Sequence, residues 1–306
     1  MSKMTDLPPE WHQWIITNLQ RNVPQSTLVA DMVKNDFDGH FAVAVVAQLA
    51  TTLMYLAQNS PSTLMENNGK VSGNVASPYT NFHYDQSRIP KENHFTIDGQ
   101  LIHVVARTEK PDIVLLENFL TNEECAQLIE TARPWLKPAK IEGIKPSGAK
   151  ISEIRTSLEC HLRREETETV ARIEKRIATL IKKPTNFGEG LCITNTHVDD
   201  QSLWQTDYFS PEKQDYAKHL QRGGQRICSL IMYLNDIDEG GETYFPEIGF
   251  KCLPRKGSAL YFSYHNKQEQ LDRLTLYTGM RLNSGEKWTA TKRIREREFF
   301  YKKDMH

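Results

Sequence analysis

The spacing of apolar residues changes character twice along this chain. Trp11, Trp14, Ile15 and Leu19 recur at helical intervals behind Pro9, which stands where a first-turn proline loses no needed N–H. After a break at Asn22-Val23-Pro24, Leu28, Met32 and Val33 continue the pattern, and the run from Phe41 to Leu56 predicts a third helix. Residues 59–95 begin with turn chemistry instead: Asn59-Ser60-Pro61-Ser62, Glu66-Asn67-Asn68-Gly69-Lys70 and Ser72-Gly73-Asn74. Such clusters read as a connector.

Beyond it the runs shorten to strand length, first at Leu101 to Val105 and Ile113 to Leu116. Thr121 is then placed to cap a helix, with Glu124 three residues on as its capping-box partner. That helix runs through Leu128 and Ile129 and stops near Pro134. A second helix is predicted from Glu166 to Ile181, with Val170, Ile173, Ile177 and Leu180 on one face,. After Gly190 the pattern predicts strands over 191–196, 226–234, 250–253, 258–263, 274–278 and 287–295. Two helices and then many strands give an α+β chain whose sheets form a β-sandwich or jelly roll braced by helices.

Composition narrows the function classes. In 306 residues, 25% are charged and the net charge is −1, which argues against non-specific binding to nucleic acid or to an anionic membrane,. No apolar run approaches the roughly 20 residues of a membrane span. The first nine residues contain no apolar signal core, so a cytoplasmic location is expected,. Five widely separated cysteines, none in a C-x-x-C pair, fit buried reduced thiols better than a disulfide or zinc framework,.

Several segments then fall in a recognisable order. They are Asp112 to Leu120 with Glu123-Glu124-Cys125, Arg155-Thr156-Ser157, Gly223-Gly224-Gln225-Arg226 and Met232-Tyr233-Leu234-Asn235-Asp236. Gly240-Gly241-Glu242-Thr243-Tyr244-Phe245-Pro246, Pro254 to Leu260 and Gly285-Glu286-Lys287-Trp288 complete the series. Over roughly residues 112–300 the chain resembles the prolyl 4-hydroxylase type of 2-oxoglutarate/Fe(II) dioxygenase. The resemblance implies a double-stranded β-helix (jelly roll) core with flanking helices. Residues 1–58 would then be a helical module, 59–95 a linker and 96–306 the oxygenase domain. It also implies 2-oxoglutarate, Fe(II) and ascorbate as cofactors, and a peptide or protein as substrate or ligand.

Such enzymes hold iron by two histidines and one carboxylate on one face. The family pattern at the first metal strand is Y-x-x-G-x-x-Y-x-x-H-x-D-Y-F. Asp207, Tyr208 and Phe209 match it, while Thr196, Asp199, Ser202 and Gln205 replace the two tyrosines, the glycine and the histidine. The distal motif L-H-A-G is here Leu276-Tyr277-Thr278-Gly279, and a usual tryptophan is Arg293. Lys287 stands where a lysine pairs with the outer carboxylate of 2-oxoglutarate, and Tyr233 where a residue hydrogen-bonds the same carboxylate. Arg155 resembles a residue near the substrate channel, or else serves in a structural salt bridge.

The replacements change the chemistry. An amide oxygen is a weaker ligand for Fe(II) than imidazole, and a phenol must lose a proton with a pKa of about 10 before it ligates well. The expectation is therefore a catalytically impaired member, a pseudoenzyme with a binding or regulatory role. The competing expectation is an active hydroxylase of a peptidyl proline or another unactivated carbon, working with non-standard ligands. His197-Val198-Asp199 is itself a His-x-Asp and could supply such ligands, although the spacing to Arg226 favours Gln205. Glu239 to Glu242 is expected as a hairpin turn, and the basic run from Lys292 to Arg297 as a solvated strand end,.

Overall fold

The computed structural model describes residues 3–4, 7–50, 82–144 and 150–301, except 22, 40, 44, 48, 199, 201–203 and 214. The chain divides into two compact units, an N-terminal helical unit and a larger sheet-based unit.

In the helical unit, α1 (Pro9–Gln20) starts with proline in its first turn, and α2 (Gln25–Lys34) follows Pro24. The described residues of 39–50 form further helical turns, called α3 here. Ile15, Leu28, Met32, Phe37, Ala42 and Val46 form the core of this unit. Trp11 packs edge-on against Trp14 and Phe37, with centroids 5.1 and 4.9 Å away. The aromatic residues of the helical pattern thus serve packing. Residues 51–58 of the expected module, and 59–81 of the expected connector, lie outside the described residues.

The larger unit begins earlier than the sequence suggests. Ile89 is in its core, the His83 carbonyl accepts from Asn266, and Asp85 accepts from the Lys267 N–H. Residues 82–93 are thus packed segment in a stretch expected as connector.

Among the described residues, twelve strands build this unit: β1 (His94–Ile97), β2 (Gln100–Glu109), β3 (Asp112–Glu117), β4 (Lys137–Ile144), β5 (Lys150–Leu162), β6 (Leu191–His197), β7 (Arg226–Tyr233), β8 (Thr243–Phe245), β9 (Phe250–Cys252), β10 (Ala259–Ser263), β11 (Thr278–Gly279) and β12 (Glu286–Arg295). Nine form one sheet in the order β1-β2-β3-β10-β7-β12-β6-β5-β4, and β11-β8-β9 form a small second sheet. Gln205 bridges Tyr277 and so lengthens the small sheet by one more segment.

Alternation along the strands divides the large sheet between two cores. Cys228, Leu230 and Met232 of β7, with Trp288, Ala290 and Ile294 of β12, pack toward α4 (Asn122–Ala132) and α5 (Glu168–Ile181). Ile231 and Tyr233, with Leu260 and Phe262 of β10, meet Phe245, Cys252 and Tyr277 from the small-sheet side. Two facing sheets around this second core make a jelly roll, with helices on the outer face.

The predicted capping box is present: the Thr121 hydroxyl accepts from the Glu124 N–H and the Glu124 carboxylate accepts from the Thr121 N–H, both at 3.1 Å. Glu124 is also clasped by Arg176 of α5 at 2.7 Å, so one residue caps α4 and ties the two helices together. All five cysteines are buried and unpaired. Two expectations need correction. The strand expected over 274–278 is a 3-10 turn at Arg273–Thr275 followed by the two residues of β11. The long strands β4 and β5 left no clear apolar signal. The basic run is not a solvated strand end: Lys292 and Arg295 are buried and paired with Glu174 and Glu189. These cations lie under a cover of helices and loops that alternation along a single strand cannot reveal.

Candidate functional site

The segment 204–209 and the Tyr277 segment come together across the small sheet. Gln205 N–H donates to the Tyr277 carbonyl at 2.9 Å, and Tyr277 N–H donates to the Gln205 carbonyl at 3.0 Å. This antiparallel pair places the two positions expected to hold histidine opposite each other, with Asp207 close by. The Tyr277 hydroxyl donates to Asp207 Oδ1 at 3.2 Å. The three positions expected to hold metal are therefore assembled in one place.

What occupies that place is a cation from the chain itself. Arg293 Nε donates to Asp207 Oδ1 at 3.0 Å, and the Ser229 hydroxyl donates to Oδ2 at 2.6 Å. Arg293 and Ser229 are neighbours in register on β12 and β7, so sheet pairing aims both at the same carboxylate. Arg226 donates to the Asp207 backbone carbonyl at 3.0 Å and fixes the loop from the other side. Asp207 is 3% exposed. Burial works against its ionisation, but Arg293, then Arg226 and the Ser229 hydrogen bond, outweigh it and hold the carboxyl below the usual range,. In turn, Asp207 more than offsets burial at Arg293 and keeps its guanidinium charged.

This donor set does not fit Fe(II). The one carboxylate is already neutralised by a guanidinium, which does not deprotonate in proteins and is no ligand. The remaining positions offer an amide and a phenol already donating to that carboxylate. Arg293 is the residue that sequence reasoning passed over. Its place in a strand-end basic run hid it, and its replacement of a usual tryptophan was the signal that could have found it.

The inner face around Lys287 is different. Lys287 lies on the same face of β12 as Arg293 and is 7% exposed. Its ammonium donates to the Gly241 carbonyl at 2.7 Å and has no carboxylate within ion-pair distance among the described residues. Burial lowers its pKa to about 8, against smaller opposing effects of Glu242 and Cys252. The Tyr233 hydroxyl pairs with the Thr243 hydroxyl at 2.7 Å. A buried ammonium with no ion-paired carboxylate among the described residues, and with hydroxyls on the same inner core, fits an organic carboxylate such as the outer one of 2-oxoglutarate. The segment Glu239 to Glu242, expected only as a turn, takes part: Gly241 has φ +69°, and a Cβ there would meet Leu282 Cδ2 at 2.6 Å.

His197 is not brought to this site. It pairs with Glu286 at the end of β6, so it alternates away from Thr196, the partner of Lys287. Asp199 lies outside the described residues. Arg155 is on β5, and its side chain is likewise outside the description.

No family model matches the chain. Prolyl 4-hydroxylase 5 of Arabidopsis thaliana is 36% identical over 209 residues, which span 62% of this chain and 70% of that protein. Probable prolyl 4-hydroxylase 8 of the same plant is 34% identical over 209 residues, with the same coverage of 62% and 70%. Among solved structures, a viral collagen prolyl hydroxylase of Paramecium Bursaria Chlorella virus-1 in a 2OG complex superposes with a TM-score of 0.47 at 23% identity, covering 60% of this chain and 95% of that one. A Pseudomonas putida prolyl-4-hydroxylase gives a TM-score of 0.42 at 15% identity, covering 60% and 92%. The chain belongs to the prolyl 4-hydroxylase family of 2-oxoglutarate-dependent dioxygenases.

Proposed function

We propose that this protein is a non-hydroxylating member of its family, which binds 2-oxoglutarate or a related carboxylate and a peptide without an iron centre. One observation carries the reading: the Arg293 guanidinium takes the position on Asp207 that a metal cation would need. In the family, iron supplies the oxygen-activating chemistry. Here Asp207, Arg293, Ser229 and Tyr277 instead form a closed charge-balanced cluster that braces the mouth of the jelly roll. Lys287 would hold the outer carboxylate of the keto acid, with the Tyr233 and Thr243 hydroxyls as further donors. The peptide partner rests on the relatives, which are named as prolyl hydroxylases. A cytoplasmic location belongs to the same reading and rests on the scattered unpaired cysteines.

The test is anaerobic loading of the full chain with Fe(II) and 2-oxoglutarate, followed by measurement of bound iron and of succinate after oxygen is admitted. The expected result is keto-acid binding without stoichiometric iron or succinate release. Stoichiometric iron with steady succinate release overturns the proposal and returns the chain to the active hydroxylases.

A further inference from the structure

A second cluster stands on the large sheet, on β5 and β6. Glu159 and His161 are alternate residues of β5 and so share a face. In the β5–β6 pairing His161 faces Cys192, and Glu159 faces Thr194. A carboxylate oxygen, an imidazole nitrogen and the Cys192 sulfur all lie within 4.8 Å of one another. His161 Nε2 is 3.5 Å from Glu159 Oε1. Cys192 Sγ also lies 3.9 Å from Thr194 Oγ1. On its other side β6 pairs with β12, where Thr291 is opposite Cys192. The cluster therefore shares the inner face with Arg293, one strand away.

We propose that Glu159, His161 and Cys192 form a binding site for one divalent cation of the zinc class, with a fourth coordination position open to solvent. The donor set selects the metal. Magnesium and calcium take oxygen ligands, whereas thiolate, imidazole and carboxylate together suit zinc. Zinc–ligand bonds of about 2.0–2.3 Å at tetrahedral angles separate neighbouring ligand atoms by roughly 3.3–3.6 Å, which the His161–Glu159 distance of 3.5 Å already meets,. All three side chains spring from paired strands, so sheet register rather than a loop holds them together. The burial gradient gives the site a direction: Cys192 is buried, while the His161 side chain is 62% exposed. Three protein ligands and one open side make up the arrangement of an exchangeable or reactive zinc rather than a closed structural one.

The three side chains also influence one another's charge. Hydrogen bonding to Cys192, then to Glu159, pushes His161 up to about 10. Burial raises the Cys192 thiol, but the His161 hydrogen bond and charge outweigh it and bring it down. The nearby Arg293 charge, which would repel a cation, is balanced by Asp207.

Cobalt(II) tests this, because zinc is spectroscopically silent. The full chain is stripped with a chelator and titrated with Co(II), then with Zn(II). The expected result is a near-ultraviolet thiolate-to-cobalt band that saturates at one ion per chain and is abolished by zinc. Cys192→Ser should lose the band, and the exposed His161→Gln, together with Glu159→Gln, should weaken binding at least tenfold. Absence of the band in the unaltered chain, its persistence in Cys192→Ser, or unchanged affinity in a folded His161→Gln overturns the proposal. Neither Fe(II) nor 2-oxoglutarate enters the experiment, so its outcome is independent of the reading of the Asp207 site.

Discussion

The guanidinium of Arg293 reaches the carboxylate of Asp207 at 3.0 Å inside the jelly roll, where the carboxylate is almost fully buried. β12 delivers this cation, and the register of β12 on β7 sets Ser229 beside it. The Asp207 carboxylate thereby keeps a positive partner, and that partner is covalently part of the fold.

Restoring the histidines alone should therefore not restore iron. Gln205→His with Tyr277→His leaves Arg293 on Asp207, and bound Fe(II) should stay substoichiometric. Adding Arg293→Trp frees the carboxylate, and iron binding should then approach one per chain, measured anaerobically by chelator release. Iron binding by the double variant equal to that of the triple would show that Arg293 does not block the site.

The ion pair should be costly to break from one side. Arg293→Met leaves a buried carboxylate with hydroxyl donors but no contacting cation, and about 3–5 kcal/mol of stability should be lost in denaturant titration. Arg293→Met with Asp207→Leu removes both charges and should recover most of that loss. A double variant as unstable as the single one would contradict this account of the pair.

Acid should reveal the same carboxylate. The folded pKa of Asp207 lies below its unfolded value, which is about 3.9,. Its contribution is therefore complete above that value and is lost as pH falls through the folded pKa. The stability difference between the unaltered chain and Asp207→Asn should be constant near neutrality and shrink as pH drops below about 4. A difference that grows on acidification would reverse the sign assigned here.

Lys287 behaves in the opposite sense. Its folded pKa of about 8 lies below the unfolded value of 10.5, so the buried charge opposes folding at neutral pH, and stability rises as pH climbs between the two,. Lys287→Met should raise the Tm at pH 7, while it abolishes the stabilisation of the full chain by added 2-oxoglutarate. In the unaltered chain that stabilisation should fade as pH passes about 8, the point at which the ammonium loses its proton. A Tm shift by 2-oxoglutarate that survives Lys287→Met would place the keto acid elsewhere.

Glu124 should matter more than an ordinary helix cap. It accepts the Thr121 N–H and pairs with Arg176, whose side chain is 3% exposed. Glu124→Ala strands that guanidinium and should cost about 3–5 kcal/mol, several times the loss of a cap alone. Circular dichroism melts of Glu124→Ala and Thr121→Ala compare the two directly.

Local chemistry was legible where it is self-contained. Thr121 and Glu124 announced their capping box because both partners lie within one turn of chain. The periodicity of Val170, Ile173, Ile177 and Leu180 announced α5, and the motif order pointed to Asp207 and Tyr277, which the structure joins by a hydrogen bond. The basic run around Arg293 misled because each cation finds its partner far away in sequence: Glu174 for Lys292, Glu189 for Arg295 and Asp207 for Arg293. The Glu159–His161–Cys192 cluster was hidden for the same reason, since Cys192 joins it only through the β5–β6 pairing.

The sequence by itself determined the family, the jelly roll and which side chains stand at 205, 207 and 277, because motif order and side-chain identity are properties of the chain. Only the tertiary structure decided what became of the remaining carboxylate. A charge on Arg293 reads the same in solvent or in a core, and its meaning depends on which group the fold brings within about 3 Å and how much water the fold removes. Strand pairing supplied Asp207, and burial turned that contact from a weak surface attraction into the bond that closes the site.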